Sequence, residues 1–236
     1  MSSAKKMHHR ARWEPMTELC SVIRSSIGGY PILPEGCAWP VCTEDGCNRR
    51  MSAFFQFEIG DGMGLPFERG STLGVFQCLR HDDPFEDLDT RFPSSVDERL
   101  PANYWHRPNY AMLLSSPSSH HQSSDREPCV TYAKLVLERE REPAIRSHAA
   151  LNFADIKIGG SPFWVHSPKL WRCSCGSEMD FVCSVPANLR FPKDEVCPCQ
   201  TNGPHGSYHL FLGLSTYVFA CRAHCDPRAV VAVRQN

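Results

Sequence analysis

The sequence predicts an α+β, β-rich fold made of two internally duplicated β units packed as one pseudo-symmetric domain. Three observations predict it. Short motifs recur in the same order in the two halves of the chain. The apolar runs are brief and rich in Phe, Val and Ile, which suit a pleated, half-buried surface. Helical spacing shows near the N-terminus, at Met16, Leu19, Cys20 and Ile23, where a short helix is expected over 13–27.

The duplication rests on three blocks. Ile27-Gly28-Gly29-Tyr30-Pro31 matches Ile158-Gly159-Gly160-Ser161-Pro162. Cys47 and Met51 match Cys175 and Met179, each pair followed by a short apolar run. Val75-Phe76-Gln77-Cys78 matches Val218-Phe219-Ala220-Cys221. That match continues through His81, Asp83 and Pro84 to His224, Asp226 and Pro227, with six identities in ten positions. The separations are 131, 128 and 143 residues, the drift expected of insertions at surface loops.

Each unit opens on a Gly-Gly turn whose glycines permit positive φ, followed by a proline that stiffens the exit. A cysteine-bearing loop comes next. Strands are then expected over 51–59 and 74–79 in the first unit, and over 179–185 and 217–221 in the second. His-x-Asp-Pro closes each unit with a turn, because the residue before proline leaves regular structure. Further strands are expected over 132–138 and 229–234, and 209–221 reads as two strands around 213–216. The resulting division is a first unit with its helix over 1–92, a Ser/Pro-rich insertion over 93–128, and a second unit over 129–236, in one compact domain. The clearest loop in the insertion is 115–127.

Composition narrows the function classes. The formal net charge is -1, so no overall basic field draws nucleic acid. No apolar stretch reaches the length of a membrane-spanning helix. The polar, basic start (1–13) lacks the apolar centre of a secretory signal, which points to a cytoplasmic, reducing setting. There, 13 cysteines are better read as metal ligands than as disulfides.

Thiolates hold zinc tetrahedrally, usually as two close pairs brought together by the fold. In the second unit Cys173 and Cys175 form one pair and Cys221 and Cys225 the other, with Gly176 suited to a tight metal loop and His224 as a substitute ligand. In the first unit Cys42 or Cys47 would join Cys78, His81 and Asp82. A mixed site and a metal-free copy both fit that set. Cys183, Cys197, Cys199 and His205 form a third group, while Cys20, Cys37 and Cys129 read as core or surface thiols. Beside zinc stand two other readings of the second-unit quartet, buried thiols and disulfides. A closed four-thiolate shell makes zinc structural, since it leaves no open position for water.

Gly159, Gly160, Pro162, Trp164, Cys173, Cys175, Gly176, Met179, Phe181, Val218, Phe219, Cys221 and Cys225 together resemble the bacterial YwqG-like family. They are also similar to the eukaryotic programmed-cell-death-two family, in which such cysteines bind zinc. The resemblance covers 27–84 and 158–235 and leaves the middle unmatched. It implies a protein-binding role. Some YwqG-like proteins look like immunity proteins that neutralise a cognate secreted bacterial toxin, at times a nuclease. The eukaryotic relatives look like chaperones of a ribosomal protein.

The expected function is therefore a protein-binding module, most specifically an immunity protein, with a zinc-stabilised chaperone or adaptor as the alternative. Tyr104, Trp105 and Tyr110 are candidate partner-binding anchors, and Glu86, Asp87, Asp89, Asp97 and Glu98 a candidate acidic face for a basic partner. An enzyme would have to work through His81 with Asp83 or His224 with Asp226. Neither a nucleophile elbow, a phosphate loop nor a zinc-protease helix motif is present. Nucleic-acid binding would fall to Lys5, Lys6, Arg10 and Arg12.

Overall fold

In the computed structural model, residues 7–16, 23–81, 98–142, 155–197 and 206–235 are described. Among them there are strands, turns and short 3-10 segments but no α-helix. The expectation of an α+β fold is corrected: the fold is all-β, a ten-stranded, barrel-like sheet. Its strands are β1 (Met7–Pro15), β2 (Ser26–Ile27), β4 (Ser52–Glu58), β5 (Thr72–Gln77), β7 (Tyr110–Ser115), β9 (Ala133–Arg141), β10 (Ile156–Ile158), β12 (Met179–Val185), β15 (Ser215–Cys221) and β16 (Val230–Gln235). Three two-stranded pieces flank it. They pair β3 (Ile32–Pro34) with β8 (His120–Gln122), β6 (Glu98–Arg99) with β11 (Trp171–Arg172), and β13 (Arg190–Pro192) with β14 (Ser207–His209).

The sheet order is β16-β15-β12-β10-β1-β9-β2-β4-β5-β7. Read outward from the β1/β9 pair, it is symmetric. β1, β2, β4, β5 and β7 of the first unit correspond to β9, β10, β12, β15 and β16 of the second. The pseudo-twofold axis passes through the antiparallel β1/β9 ladder at Arg12↔Val136. The opening strand of each unit pairs with the second strand of the other, β1 with β10 and β9 with β2. The units are thus interlocked, and neither completes its own sheet alone. At the far edges β7 and β16 approach each other, and the Leu114 N–H donates to Pro227 O at 2.7 Å. This nearly closes the barrel and covers edges that would otherwise be open to pairing.

In β4, β5 and β7, and in β12, β15 and β16, alternation places one face in a shared interior and the other in a satellite core. Val75 and Leu73 of β5 face the interior, as do Val218 and Ala220 of β15. Phe76 of β5 faces a small cluster with Met51, Ala53 and Leu113. Its counterpart Phe219 of β15 faces the matching cluster with Met179, Phe181 and Val231. Each unit has a register shift at the same place, between Ala53 and Phe55 and between Phe181 and Cys183. A bulge inserts one residue and resets the alternation. It is why Phe54 and Phe55, and Val182 and Cys183, all point inward in succession.

The Gly-Gly turns also correspond. Gly28, Gly29, Gly159 and Gly160 all have positive φ. A Cβ on Gly159 would meet Met63 O at 2.3 Å, and one on Gly28 would meet Val130 O at 2.6 Å. The two units satisfy the turn carbonyls differently. In the first, the Ser26 hydroxyl donates to Gly28 O at 3.1 Å and the Gln56 amide to Tyr30 O at 3.0 Å. In the second, Lys157 Nζ alone donates to the matching carbonyls, Gly159 O at 2.6 Å and Ser161 O at 2.7 Å.

Three further expectations change. Trp13, assigned to a helix, lies in β1, and Ser26–Ile27 is a strand; 17–22 fall outside the described residues. Alternation already ran through β1, with His9, Ala11 and Trp13 on the core side of Arg10, Arg12 and Glu14, and pairing on both edges outweighs the local helical spacing. The segment 93–128 contains β7, the last strand of the first unit, and β8. The stretch 209–221 is a 3-10 turn (Leu210–Gly213) followed by β15 alone.

Candidate metal centres

The structure gathers two four-residue groups whose ligand atoms all lie within 4.8 Å of one another: Cys173, Cys175, Cys221 and Cys225, and Cys42, Cys47, Cys78 and His81. Each sits on the outer face of its half-sheet, over its unit's satellite core. Cys221 ends β15 and Cys78 directly follows β5, at equivalent positions.

In the second unit the loop after β11 carries Cys173 and Cys175. The Cys173 N–H donates to Ser177 O at 2.8 Å and the Gly176 N–H returns to Cys173 O at 2.8 Å, a tight knuckle that needs Gly176 at φ +94°. Cys225 reaches the site because His224 takes φ +47° and its N–H donates to Cys221 O at 2.9 Å. Sulfur separations are 3.5 Å for Cys173–Cys225 and 3.5 Å for Cys175–Cys221. All four are free thiols, two buried and two exposed. Burial pushes the Cys173 thiol up. The backbone N–H of Cys175, the Tyr104 hydroxyl and the neighbouring thiols outweigh that and bring it down to about 7. The site favours a thiolate there, the form that binds metal. Burial raises the Cys221 and Cys225 thiols.

In the first unit a 3-10 turn, Glu44–Gly46, lies between the two loop cysteines. The Cys47 N–H donates to Glu44 O at 2.7 Å and the Cys42 N–H to Arg49 O at 2.8 Å. His81 Nδ1 lies 3.3 Å from Cys42 Sγ and 3.8 Å from Cys78 Sγ, and Cys47 Sγ lies 4.0 Å from Cys78 Sγ. Burial drives Cys42 up to about 12. Cys47, barely buried and beside the Arg49 N–H, is lowered. Both Cys42 and Cys47 belong to the group, rather than one of them, and His81 supplies the fourth atom among the described residues. Asp82 lies outside the described residues.

The other sequence candidates fall elsewhere. His224 is turned from the thiols, and its Nε2 donates to Leu114 O at 2.7 Å. Asp226 is held by Arg228 at 2.8 to 2.9 Å and does not orient that imidazole. Asp83, the partner expected for His81, is outside the described residues. Cys183 is buried in the interior core, while Cys197 meets Tyr208 Oη at 3.4 Å. They form no cluster with each other, and Cys199 and His205 lie outside the described residues, as does Cys20. Cys129 is buried, and Cys37 is half-buried.

Tyr104 and Tyr110, expected as partner-binding anchors, are each 3% exposed. Tyr104 instead supports the second-unit cluster, its hydroxyl 3.3 Å from Met179 Sδ and 3.6 Å from Cys173 Sγ. That role had no signal in the spacing, because Tyr104 comes from the segment between the units. Trp105 packs half-buried on the same satellite core. Glu86, Asp87, Asp89 and Asp97 lie outside the described residues. Arg10 and Arg12 are not a free basic arm: they stand in β1 against Glu140 at 2.8 Å and Asp155 at 3.3 Å. Lys5 and Lys6 are outside the described residues. Among these residues, no helix is long and apolar enough to cross a membrane.

No protein-family model matches the chain, and comparison with curated proteins finds no match. The YwqG-like resemblance therefore rests on the motif residues given above.

Proposed function

We propose that the protein is a zinc-stapled protein-binding module, and that its partner is a cognate secreted toxin that it neutralises. The observation that carries the zinc reading is the pair of four-ligand clusters at equivalent places in the two units. A tetrahedral ion with Zn–S of about 2.3 Å sets sulfurs about 3.8 Å apart, and Zn–N of about 2.0 Å sets sulfur and nitrogen about 3.5 Å apart. The closer pairs, at 3.3 to 4.0 Å, bracket those values, and all the ligand atoms of each group lie within 4.8 Å of one another.

Four protein ligands at each site complete the shell, so zinc here would hold structure rather than activate water. Each ion would tie a loop to a strand end on its own side of the dyad. The binder reading follows from the YwqG-like resemblance, and the second-unit His/Asp pair agrees with it, since Asp226 is engaged by Arg228 instead of His224. The test is native mass spectrometry of protein captured from its own host. Two zinc ions with a toxin-sized companion support the reading. Protein carrying zinc but never a companion, even when mixed with toxins encoded beside its gene, refutes the toxin partner and leaves the zinc reading intact.

A further inference from the structure

The two units differ most in chemistry directly beside the first cluster. There a cavity of about 290 Å³ opens between the metal loop and the strand β4, walled by Trp39, Arg49, Arg50, Arg80 and Arg126 with Glu127 in its floor. Arg49 follows Cys47 by two residues and Arg80 follows Cys78 by two, so both stand on the loops that carry the cluster. Arg50 is paired with Asp125 and Arg126 with Asp194. Arg49 and Arg80 have no acidic partner among the described residues.

The second unit has Ser177 and Ala223 at the equivalent positions. Arg222 at that place is held by Asp180 at 2.7 Å and by Glu178, while the Arg99 guanidinium reaches Gly176 from β6. The duplication therefore kept the cluster in both units, while Arg49 and Arg80 belong to the first unit alone. Both line the cavity from exposed positions, where their positive charge favours an anion.

The pocket is built rather than incidental. Trp39 is fixed by its indole N–H, which donates to Met51 O at 2.7 Å, and by an edge contact with Phe76. The Arg50 guanidinium lies over its ring at 5.5 Å. Glu127 does not oppose an incoming anion directly, because its oxygens face the backbone N–H groups of Ala53 and Cys129, both at 2.8 Å. Guanidinium forks match phosphate oxygens in pairs, and an aromatic wall suits a planar substituent. With a water occupying about 30 Å³, the space holds a small ligand and not a polymer.

We propose that this cavity is a binding site for a phosphate monoester, with Arg49 and Arg80 as its phosphate-binding residues. The site stands on the arginines and the cavity, whatever ion fills the cluster and whatever protein partner the chain has.

The test is isothermal titration of the full chain with AMP and with inorganic phosphate. Wild-type protein is compared with a variant carrying the second unit's residues, Arg49→Ser with Arg80→Ala. Both positions are exposed, so the variant should keep its metal content and melting temperature. Saturable binding of AMP that weakens about tenfold or more in the variant is the expected result. Inorganic phosphate binding as tightly as AMP also supports the site and assigns the contact to the phosphate alone. No saturable heat from either probe at millimolar concentration, or equal affinity in the two proteins, overturns the proposal.

Discussion

Lys157 offers a direct test of how the second unit is held, because a charged side chain here does what two neutral ones do in the first. It is 2% exposed and its Nζ donates to Gly159 O and Ser161 O, 3.3 Å from Glu142 Oε1. The ammonium also lies over Phe163 at 4.6 Å and Phe181 at 5.0 Å. Lys157→Met fills similar volume but leaves a buried carboxylate without its cation and two carbonyls without their donor. Breaking one side of a buried ion pair costs about 3–5 kcal/mol, most of it the uncompensated charge. Urea unfolding with zinc present in both states should show that loss. The variant Lys157→Ser with Ser184→Gln and Glu142→Gln installs the first unit's solution and removes the stranded charge, so it should be clearly more stable than Lys157→Met. If Lys157→Met lost less than about 1 kcal/mol, the reasoning about this turn would be refuted.

Three other outcomes are expected. Gly159→Ala should destabilise by about 2 kcal/mol or more in the same assay, since positive φ and a Cβ 2.3 Å from Met63 O act together, whereas Gly36→Ala, with open space around it, should suffer only the φ strain. His81→Ala should remove one metal ion per chain, and His224→Ala should remove none while costing about 1 kcal/mol for the lost bond to Leu114 O; metal analysis beside melting curves separates the two. Burial lowers the pKa of both His8, helped by Lys157, and His9, helped by Arg139, below the ordinary 6.5. The folded state then binds these protons less readily than the unfolded chain. Their stabilising contribution is present above pH 6.5 and is lost as pH falls through and below it. Double substitution to Gln should flatten the stability difference between pH 7.5 and 5.5 relative to wild type, and an unchanged difference would count against that sign.

Much of this was legible in the sequence, for identifiable reasons. The blocks around Gly28, Cys78 and their counterparts carry backbone and ligand constraints that tolerate few residues, so the duplication survived there and could be read. The strands β4, β12 and β16 followed from runs of Phe, Val and Ile. The opening strand of the first unit was harder, although its counterpart β9 was expected over 132–138. β1 completes the other unit's sheet, so its partners lie far away in sequence, and its alternation of His9, Ala11 and Trp13 with Arg10, Arg12 and Glu14 is weakly apolar. β7 diverged from β16 enough that no motif marked it, although both close the barrel from equivalent edges. The second-unit cluster was fully legible. In the first unit Cys42, Cys47, Cys78 and His81 were all named, but the place of His81 beside the thiols was not fixed, because the motif alignment sets it opposite His224, which is turned away. The backbone geometry at each turn decides which side chain faces the thiols.

The central claim is that two equivalent metal ions staple a pseudo-symmetric barrel. Native mass spectrometry of wild type, Cys175→Ser and Cys78→Ser tests it most directly, read beside the thermal stability of each. The account predicts two zinc ions in the wild type, one in each variant, and a lower melting temperature in both, because metal-binding energy is folding energy. A wild type that carries no metal when purified with zinc, or variants that melt as it does, would contradict it.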